Sequence, residues 1–437
     1  TMRLAAQQFC ILDELHEKVG QKIASLLDVE AAFVTSSASC GLVLTTASCM
    51  AGADPDRIVQ LPDTTGMKNE VVLQKVHRIA YDQALRVAGA TLVEIADQGR
   101  KVQVIATHSE PLQPTLQEKI RTVSNGEDDH IDTVHALDTA LAEQFANAAN
   151  QVAEKTTRRE DIAVIGSHGQ TVRHRPEGPF PFSLQLGSGA LIAARTGITT
   201  IADFRSGDIA LGGQGAPLVP AFHEAMFRSP TVDRAIVNIG GIANLTVLPN
   251  TGTVFGFDTG PGNTLLDHWY RCHHPDAFDQ NSAWAIGGHR IASLLNILLE
   301  HPYFGVIPPK SCGLEQFHLA WLGTHLQGGE KPQDVQATLL DLTVETIISA
   351  IHQQADQTTA LYLCGGGANN PAIVQAISRR LDQITVETTS VLGIDPGWVE
   401  AVAFAWMAWA RLKGKTTNLP EVTGARRRLP LGAIYAP

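Results

Sequence analysis

The chain has 437 residues, 44% of them hydrophobic and 18% charged, enough for two or three cored domains of a soluble, enzyme-sized protein. A net charge of −11 and a sequence pI near 5.8, with Arg426-Arg427-Arg428 as an isolated basic cluster, exclude an extended nucleic-acid or membrane-surface footprint. The six cysteines, Cys10, Cys40, Cys49, Cys272, Cys312 and Cys364, show no CxxC spacing and read as reduced thiols rather than a disulfide frame or zinc site. With no signal-like start and no apolar run of transmembrane length, the expected location is the cytoplasm.

From the N-terminus, Ile11, Leu15, Val19, Ile23 and Leu26 fall at helical spacing, and residues 31–34 form an apolar strand candidate. The stretch 35–41, TSSASCG, opens a second helix, where small hydroxylated residues either hold a phosphate or act as plain N-caps. Residues 101–106 read as a strand, 124–129 as a solvated polar loop, and 131–153 as a helix carrying Val134, Leu137, Leu141, Phe145, Ala148 and Val152 on one face. A strand at 162–165 runs into Gly166-Ser167-His168-Gly169-Gln170-Thr171, whose His168, Gln170 and Thr171 suit hydrogen bonding to a polyhydroxylated ligand. Asp203-Phe204-Arg205 and the glycine-rich 211–217 are the other candidates to line that cleft.

Two apolar runs within 235–248 flank Gly240-Gly241, a hairpin signal. Residues 253–255 read as a strand ending at Asp258, followed by Gly260, Pro261, Gly262 and Asn263 as a bend with exposed NH groups beside the carboxylate. That octapeptide is either an anion-friendly pocket or a surface turn capped by an aspartate. The helix 335–352 faces a core through Leu339, Leu342, Ile347 and Ile351. A strand at 361–364 ends in Gly365-Gly366-Gly367, and Asn370-Pro371 starts a helix to about 381.

Two resemblances follow. The segment from Met2 to about Ile95, with TSSASCG, LPDTTGMKNEVV (61–72) and His77-Arg78, resembles the front of the selenocysteine-synthase-like, pyridoxal-phosphate-dependent lyases, implying an N-terminal α/β fragment of fold type I. Nothing after residue 95 resembles the large domain that carries that family's Schiff-base lysine, and Lys68 lies in the wrong motif to replace it.

From about Gly99 onward the chain resembles the anhydro-N-acetylmuramic acid kinases, within the two-domain α/β fold of sugar kinases, actin and heat-shock ATPases. The carrying motifs are GSHGQTVRHRP (166–176), TGITTIADFR (196–205), DIALGGQGAPLVPAFHEA (208–225), NIGGIANLTVLP (238–249), GFDTGPGN (256–263), CGGGANNP (364–371) and LGIDPGWVEAVAFAWMAW (392–409). The domains expected are a fragment at 1–95, a first kinase domain at 96–234 and a second at 235–437. The resemblance implies a peptidoglycan-recycling kinase. Water opens the 1,6-anhydro bridge of the sugar, and the released O6 takes the γ-phosphate of ATP. Asp258 would be the general base. Thr171, Asp203, Arg205 and Glu400, with His168 and Gln170, would line the sugar site. Asn238, Gly240 and Gly241 would form a phosphate hairpin and Gly365, Gly366 and Gly367 the nucleotide turn, with Gly260, Gly262 and Asn263 beside them. Mg²⁺ would accompany ATP, the metal ligands are unassigned, and a homodimer is expected from the family.

The family's first phosphate hairpin, of the form MSGTSLDGVD, has no counterpart; the lyase-like segment runs directly into Leu92-Val93-Glu94-Ile95. Gly207 stands where the family carries arginine, Ser188-Gly189 replaces an Asp-Pro or Asp-Asn pair, and Cys312 and Leu314 replace Thr and Arg of a KSTGRE-like motif. Loss of a phosphate cradle weakens catalysis that rests on positioning. The alternatives are an inactive, sugar-binding fusion product and a remnant of a pyridoxal-phosphate lyase.

Overall fold

The structure, a computed structural model, describes residues 12–74, 82–95, 102–155, 159–313 and 316–437. Cys10, Ile11, His77, Arg78, Gly99, Lys101 and Leu314 lie outside them. The chain divides into two compact units, Thr1–Lys101 and Val102–Pro437.

In the first unit the helix Leu12–Leu27 forms as its periodicity requires, yet its apolar stripe stays largely uncovered, with Leu26 at 69% exposure. The second helix, Ala38–Ala51, starts on a plain N-cap: Ser37 Oγ accepts from the Cys40 amide at 3.2 Å, and Thr35 Oγ1 donates to Ser37 O. Strands β1 (Glu70–Gln74) and β2 (Thr91–Ile95) pair in parallel, Glu70 opposite Thr91. The strand expected at 31–34 is irregular chain, because no described strand in this unit offers it a ladder. A small core of Met50, Ala88 and Ala90, flanked by Val43, Ala47, Leu61, Val71 and Leu85, holds the unit together.

The second unit opens irregularly. The described part of the expected strand 101–106 is not a strand, and the first sheet contact comes only at β3 (Ile165–Gly166), shorter than the 162–165 run suggested. A hairpin of β4 (Gln170–Arg175) and β5 (Phe182–Leu186) follows, so the HGQT motif leads into a strand of its own. The hairpin packs through Val172 and Leu186 on the helices Pro114–Asn125 and Ile131–Glu154, burying Leu116, Val123, Leu137 and Leu141. β6 (Thr200–Ala202) lies parallel to β3.

The larger sheet comprises β7 (Arg234–Ile239), β8 (Ile242–Leu248), β9 (Phe255–Pro261), β10 (Ala360–Cys364) and β11 (Thr385–Thr388), in the order β11-β10-β7-β8-β9. A final strand, β12 (Ala433–Tyr435), pairs antiparallel with β6 and closes a three-stranded sheet. The period-two alternation of β7 and β8 sends Ala235, Val237, Ala243 and Leu245 to one face, against Leu339, Leu342, Ile347 and Ile351 of the helix Pro332–Gln354. Ile236, Tyr362 and Cys364 point to the other face, toward Phe222 and Phe227 of the helix Val219–Phe227 and Val399 and Ala403 of the helix Val399–Leu412. No described helix is long and apolar enough to cross a membrane.

Candidate active site

Asp258 sits in the middle of β9, not at a strand end. The glycine- and proline-rich segment after it was expected to bend, but β8 supplies a ladder that carries β9 through Gly260 and Pro261, with a register shift between Ala243 and Asn244. Only 8% of Asp258 is exposed. Its Oδ2 accepts from the Cys312 amide at 3.0 Å, its amide donates to Lys310 O at 3.3 Å, and its carbonyl accepts from Tyr303 Oη at 2.6 Å. Burial pushes the carboxyl up to about 7, opposed by the Cys312 amide and the charges of Arg205 and Lys310. A group poised there accepts a proton near neutral pH.

Arg205 acts on this carboxylate through its charge. Its Nη2 and Nε meet His168 Nε2 at 2.8 and 3.2 Å, and its Nη1 donates to Gly215 O at 2.6 Å. Burial presses the guanidinium pKa down, while Glu400 and Asp258 pull it back up. Burial, with the Arg205 charge, holds His168 at about 3, so the ring is neutral and its Nε2 accepts from the guanidinium. His168, expected to bind sugar, is thus committed to Arg205 and lies 4.5 Å from Phe404 between ring centroids. Behind Gly215, the fully buried Asp208 accepts from the Gly215 amide at 2.9 Å and from Asn418 Nδ2 and Thr423 Oγ1 at 2.8 Å, which fixes the carbonyl that holds Arg205.

The remaining sugar-site candidates divide. Glu400 is exposed at the start of its helix, and its charge acts on Arg205. Asp203, at φ +54°, turns Oδ1 onto Ser206 Oγ at 2.6 Å, so one of its oxygens braces the helix Ser206–Ala210. Gln170 Nε2 donates to Thr171 O, and Thr171 Oγ1 accepts from Gln185 Nε2 at 3.1 Å. Gln185 also donates to Ser183 Oγ at 2.7 Å, which meets His174 Nδ1 at 2.9 Å. Burial, with the Arg205 charge, lowers His174 to about 4. His174 Nε2 and Gln185 Oε1 are buried without a protein partner. Sequence reasoning did not single out His174, Ser183 or Gln185, whose alignment depends on the β4–β5 register.

At the ends of β7, β9 and β10, three glycine-containing turns close on one another. A Cβ on Gly365 (φ +80°) would lie 2.3 Å from Asn238 Oδ1, one on Gly367 2.3 Å from Ile239 Cγ2, and one on Gly262 2.3 Å from Gly240 O. The Gly262 and Asn263 amides donate to Gly241 O and Gly240 O, so they brace the β7–β8 turn instead of standing free. Gly260 faces Phe304 and Thr346 on the opposite side of the sheet, away from the carboxylate. At Gly366 the nearest heavy atom to a Cβ would be Asn263 Nδ2 at 3.8 Å, and at Gly240 Ile242 O at 3.4 Å, so a ligand can approach the backbone there. Gly365→Ala is expected to cost about 2–3 kcal/mol through strain and displacement of Asn238. Urea unfolding checks this, and a loss under about 0.5 kcal/mol would contradict it.

Departures from the family pattern also have local causes. Ser188 caps the helix Gly189–Thr196 through Oγ, and a Cβ on Gly189 would lie 2.6 Å from the Tyr435 ring. Gly207 backs onto Leu429, whose Cδ1 would lie 3.2 Å from a Cβ there. At Cys312 it is the backbone amide that serves Asp258, so the change from Thr leaves that donor in place.

A buried carboxylate with a raised pKa, a guanidinium whose charge acts on it and approachable glycine turns are the chemistry a phosphotransferase needs. The family described as anhydro-N-acetylmuramic acid kinase matches residues 84–437. The protein of that description from Xylella fastidiosa is 47% identical over 350 residues, 79% of this chain and 92% of the relative. Those from Xanthomonas campestris pv. campestris strain 8004 and Coxiella burnetii strain Dugway 5J108-111 are each 46% identical, over 353 and 338 residues, covering 79% and 76% of this chain and 93% and 91% of their own lengths. Among solved structures, the activator of the 2-hydroxyisocaproyl-CoA dehydratase from Clostridium difficile with bound ADPNP aligns at a TM-score of 0.35 and 16% identity, covering 61% of this chain and 81% of that one. The chain belongs to the anhydro-N-acetylmuramic acid kinase family. The match opens at residue 84, so residues 84–95, β2 included, fall within it, although β2 pairs with β1 in the first unit.

Proposed function

We propose that this chain converts 1,6-anhydro-N-acetylmuramic acid, water and ATP to N-acetylmuramic acid 6-phosphate and ADP. The observation that carries the reading is Asp258, buried in the middle of β9 with its carboxyl raised to about 7 and the Arg205 charge acting on it. The carboxylate takes a proton from water as the water attacks the anomeric carbon. Arg205, fixed by His168 and Gly215, supplies positive charge beside the anionic sugar. Asn238, Gly240, Gly241 and Gly365 to Gly367 would hold the nucleotide, and the open approach at Gly240 and Gly366 fits a phosphate chain. Mg²⁺ would arrive chelated by ATP and neutralise phosphate charge.

The reaction would take place in the cytoplasm, and the family resemblance implies a homodimer. No observation favours pyridoxal-phosphate chemistry in the first unit, whose hydroxylated turn is spent on capping. The test is ADP release on mixing the full chain with Mg-ATP and the anhydro sugar, with mass spectrometry of the product. Sugar-dependent ADP release and a 6-phosphate carrying one oxygen from labelled water support the reading. ADP release independent of the sugar, or none, contradicts it.

A further inference from the structure

The register of the larger sheet aligns four side chains across it. Cys364 of β10 lies opposite Asn238 of β7, Asn238 opposite Asn244 of β8, and Asn244 opposite Asp258 of β9. All four point to the face of Ile236 and Tyr362, because their neighbours Val237, Ala243, Leu245 and Phe257 fill the core on the reverse side. The row begins with a contact of 3.8 Å from Cys364 Sγ to Asn238 Oδ1. Between Asn238 and Asp258 in that row stands Asn244, half-buried, whose Oδ1 is buried with no protein donor. Directly opposed residues on antiparallel strands have Cβ atoms about 5 Å apart, close enough for both side chains to grip one small molecule between them.

Asp258 already uses Oδ2 on the Cys312 amide. A water molecule has two hydrogens to give. If one goes to the free lobe of the Asp258 carboxylate and the other to Asn244 Oδ1, the lone pair of the water is fixed in direction. An isolated buried amide oxygen costs about 1–3 kcal/mol, so a fold that keeps one beside its base keeps it for a donor.

We propose that Asn244 is a catalytic residue that holds the attacking water jointly with Asp258, through a hydrogen bond from the water to Asn244 Oδ1. This rests on the proposed kinase reading and extends it. One O–H bond of the water breaks and its proton passes to Asp258, while the oxygen bonds to the anomeric carbon. The bond from that carbon to O6 breaks, its electron pair stays on O6, and O6 takes the γ-phosphoryl group as ADP leaves. The second proton of the water stays in its bond to Asn244 throughout and ends on the new anomeric hydroxyl.

The test uses the full chain in two measurements. In a crystal structure with the anhydro sugar, an ordered water should lie within about 3 Å of both Asn244 Oδ1 and an Asp258 oxygen, and density without it would overturn the proposal whatever the activity. In steady-state kinetics, Asn244→Ala should lower kcat about 10- to 100-fold with KM for ATP held within about twofold. Asn244→Asp, which keeps the shape and adds a like charge beside Asp258, should move the acid limb of the kcat profile to higher pH. A kcat for Asn244→Ala within about twofold of wild type, with Asp258→Asn inactive, would sink the role of Asn244 and leave the kinase reading standing. A wild-type chain inert toward the anhydro sugar would sink the kinase reading and the role of Asn244 with it.

Discussion

Asp258→Asn is expected to lower turnover of the anhydro sugar by about 10²- to 10⁴-fold, the range lost with a positioned general base, and at the same time to stabilise the fold above neutral pH. Asparagine keeps the acceptor for the Cys312 amide but cannot ionise. The sign follows from the shift. Burial raises Asp258 from the usual 3.8 to about 7, so its protonated form belongs to the folded state. The stability linked to that proton is fully present below the unfolded value and is lost as pH rises through about 7. The variant escapes the loss, and its stability relative to wild type should climb between pH 4 and pH 8 by up to about 4 kcal/mol. Urea unfolding at the two ends of that range measures it. A relative stability flat with pH would mean that the carboxyl titrates normally.

Arg205→Ala is the second large effect, with kcat/KM expected to fall at least about 10²-fold. The guanidinium joins two regions of the second unit, holding His168 and Gly215 O on one side and acting on Asp258 and Glu400 on the other. Without it Asp258 loses a charge that favours ionisation, so the acid limb of the rate profile should move upward from about 7. Arg205→Lys keeps the charge and loses the fork, and should recover the limb while recovering little of kcat. If Arg205→Ala leaves the limb where it was, Arg205 does not act on the base.

Local chemistry was readable from the residues. Gly240-Gly241 between two alternating runs made a hairpin, and Asn370-Pro371 started a helix with the Asn370 side chain accepting from the Ala372 amide. The helix Ile131–Glu154 and the core face of Pro332–Gln354 followed from period alone. What failed was whatever a partner decides. The segment Gly260-Pro261-Gly262 reads as a bend, but the β8 ladder draws its first two residues into β9. Residues 31–34 and 101–106 read as strands, but 31–34 and the described part of the second, 102–106, find no ladder among the described residues.

The site divides along the same line. Asp258 and Arg205 were legible as chemistry, but the commitment of His168 to Arg205 spans 37 positions and shows only in space. The donor to Asp258 is a backbone amide, which no residue type at position 312 reveals. Asn244 lay inside a recognised motif, and only the strand register sets it opposite Asp258.

One buried acid carries the proposed chemistry. The most direct measurement is a carbon-13 carboxyl titration of the full chain, with the Asp258 resonance assigned by its absence in Asp258→Asn. A midpoint near 7 is the result required; a midpoint near the ordinary 3.8 would mean that Asp258 stays solvated in the folded protein, and that the proton acceptor must be sought elsewhere.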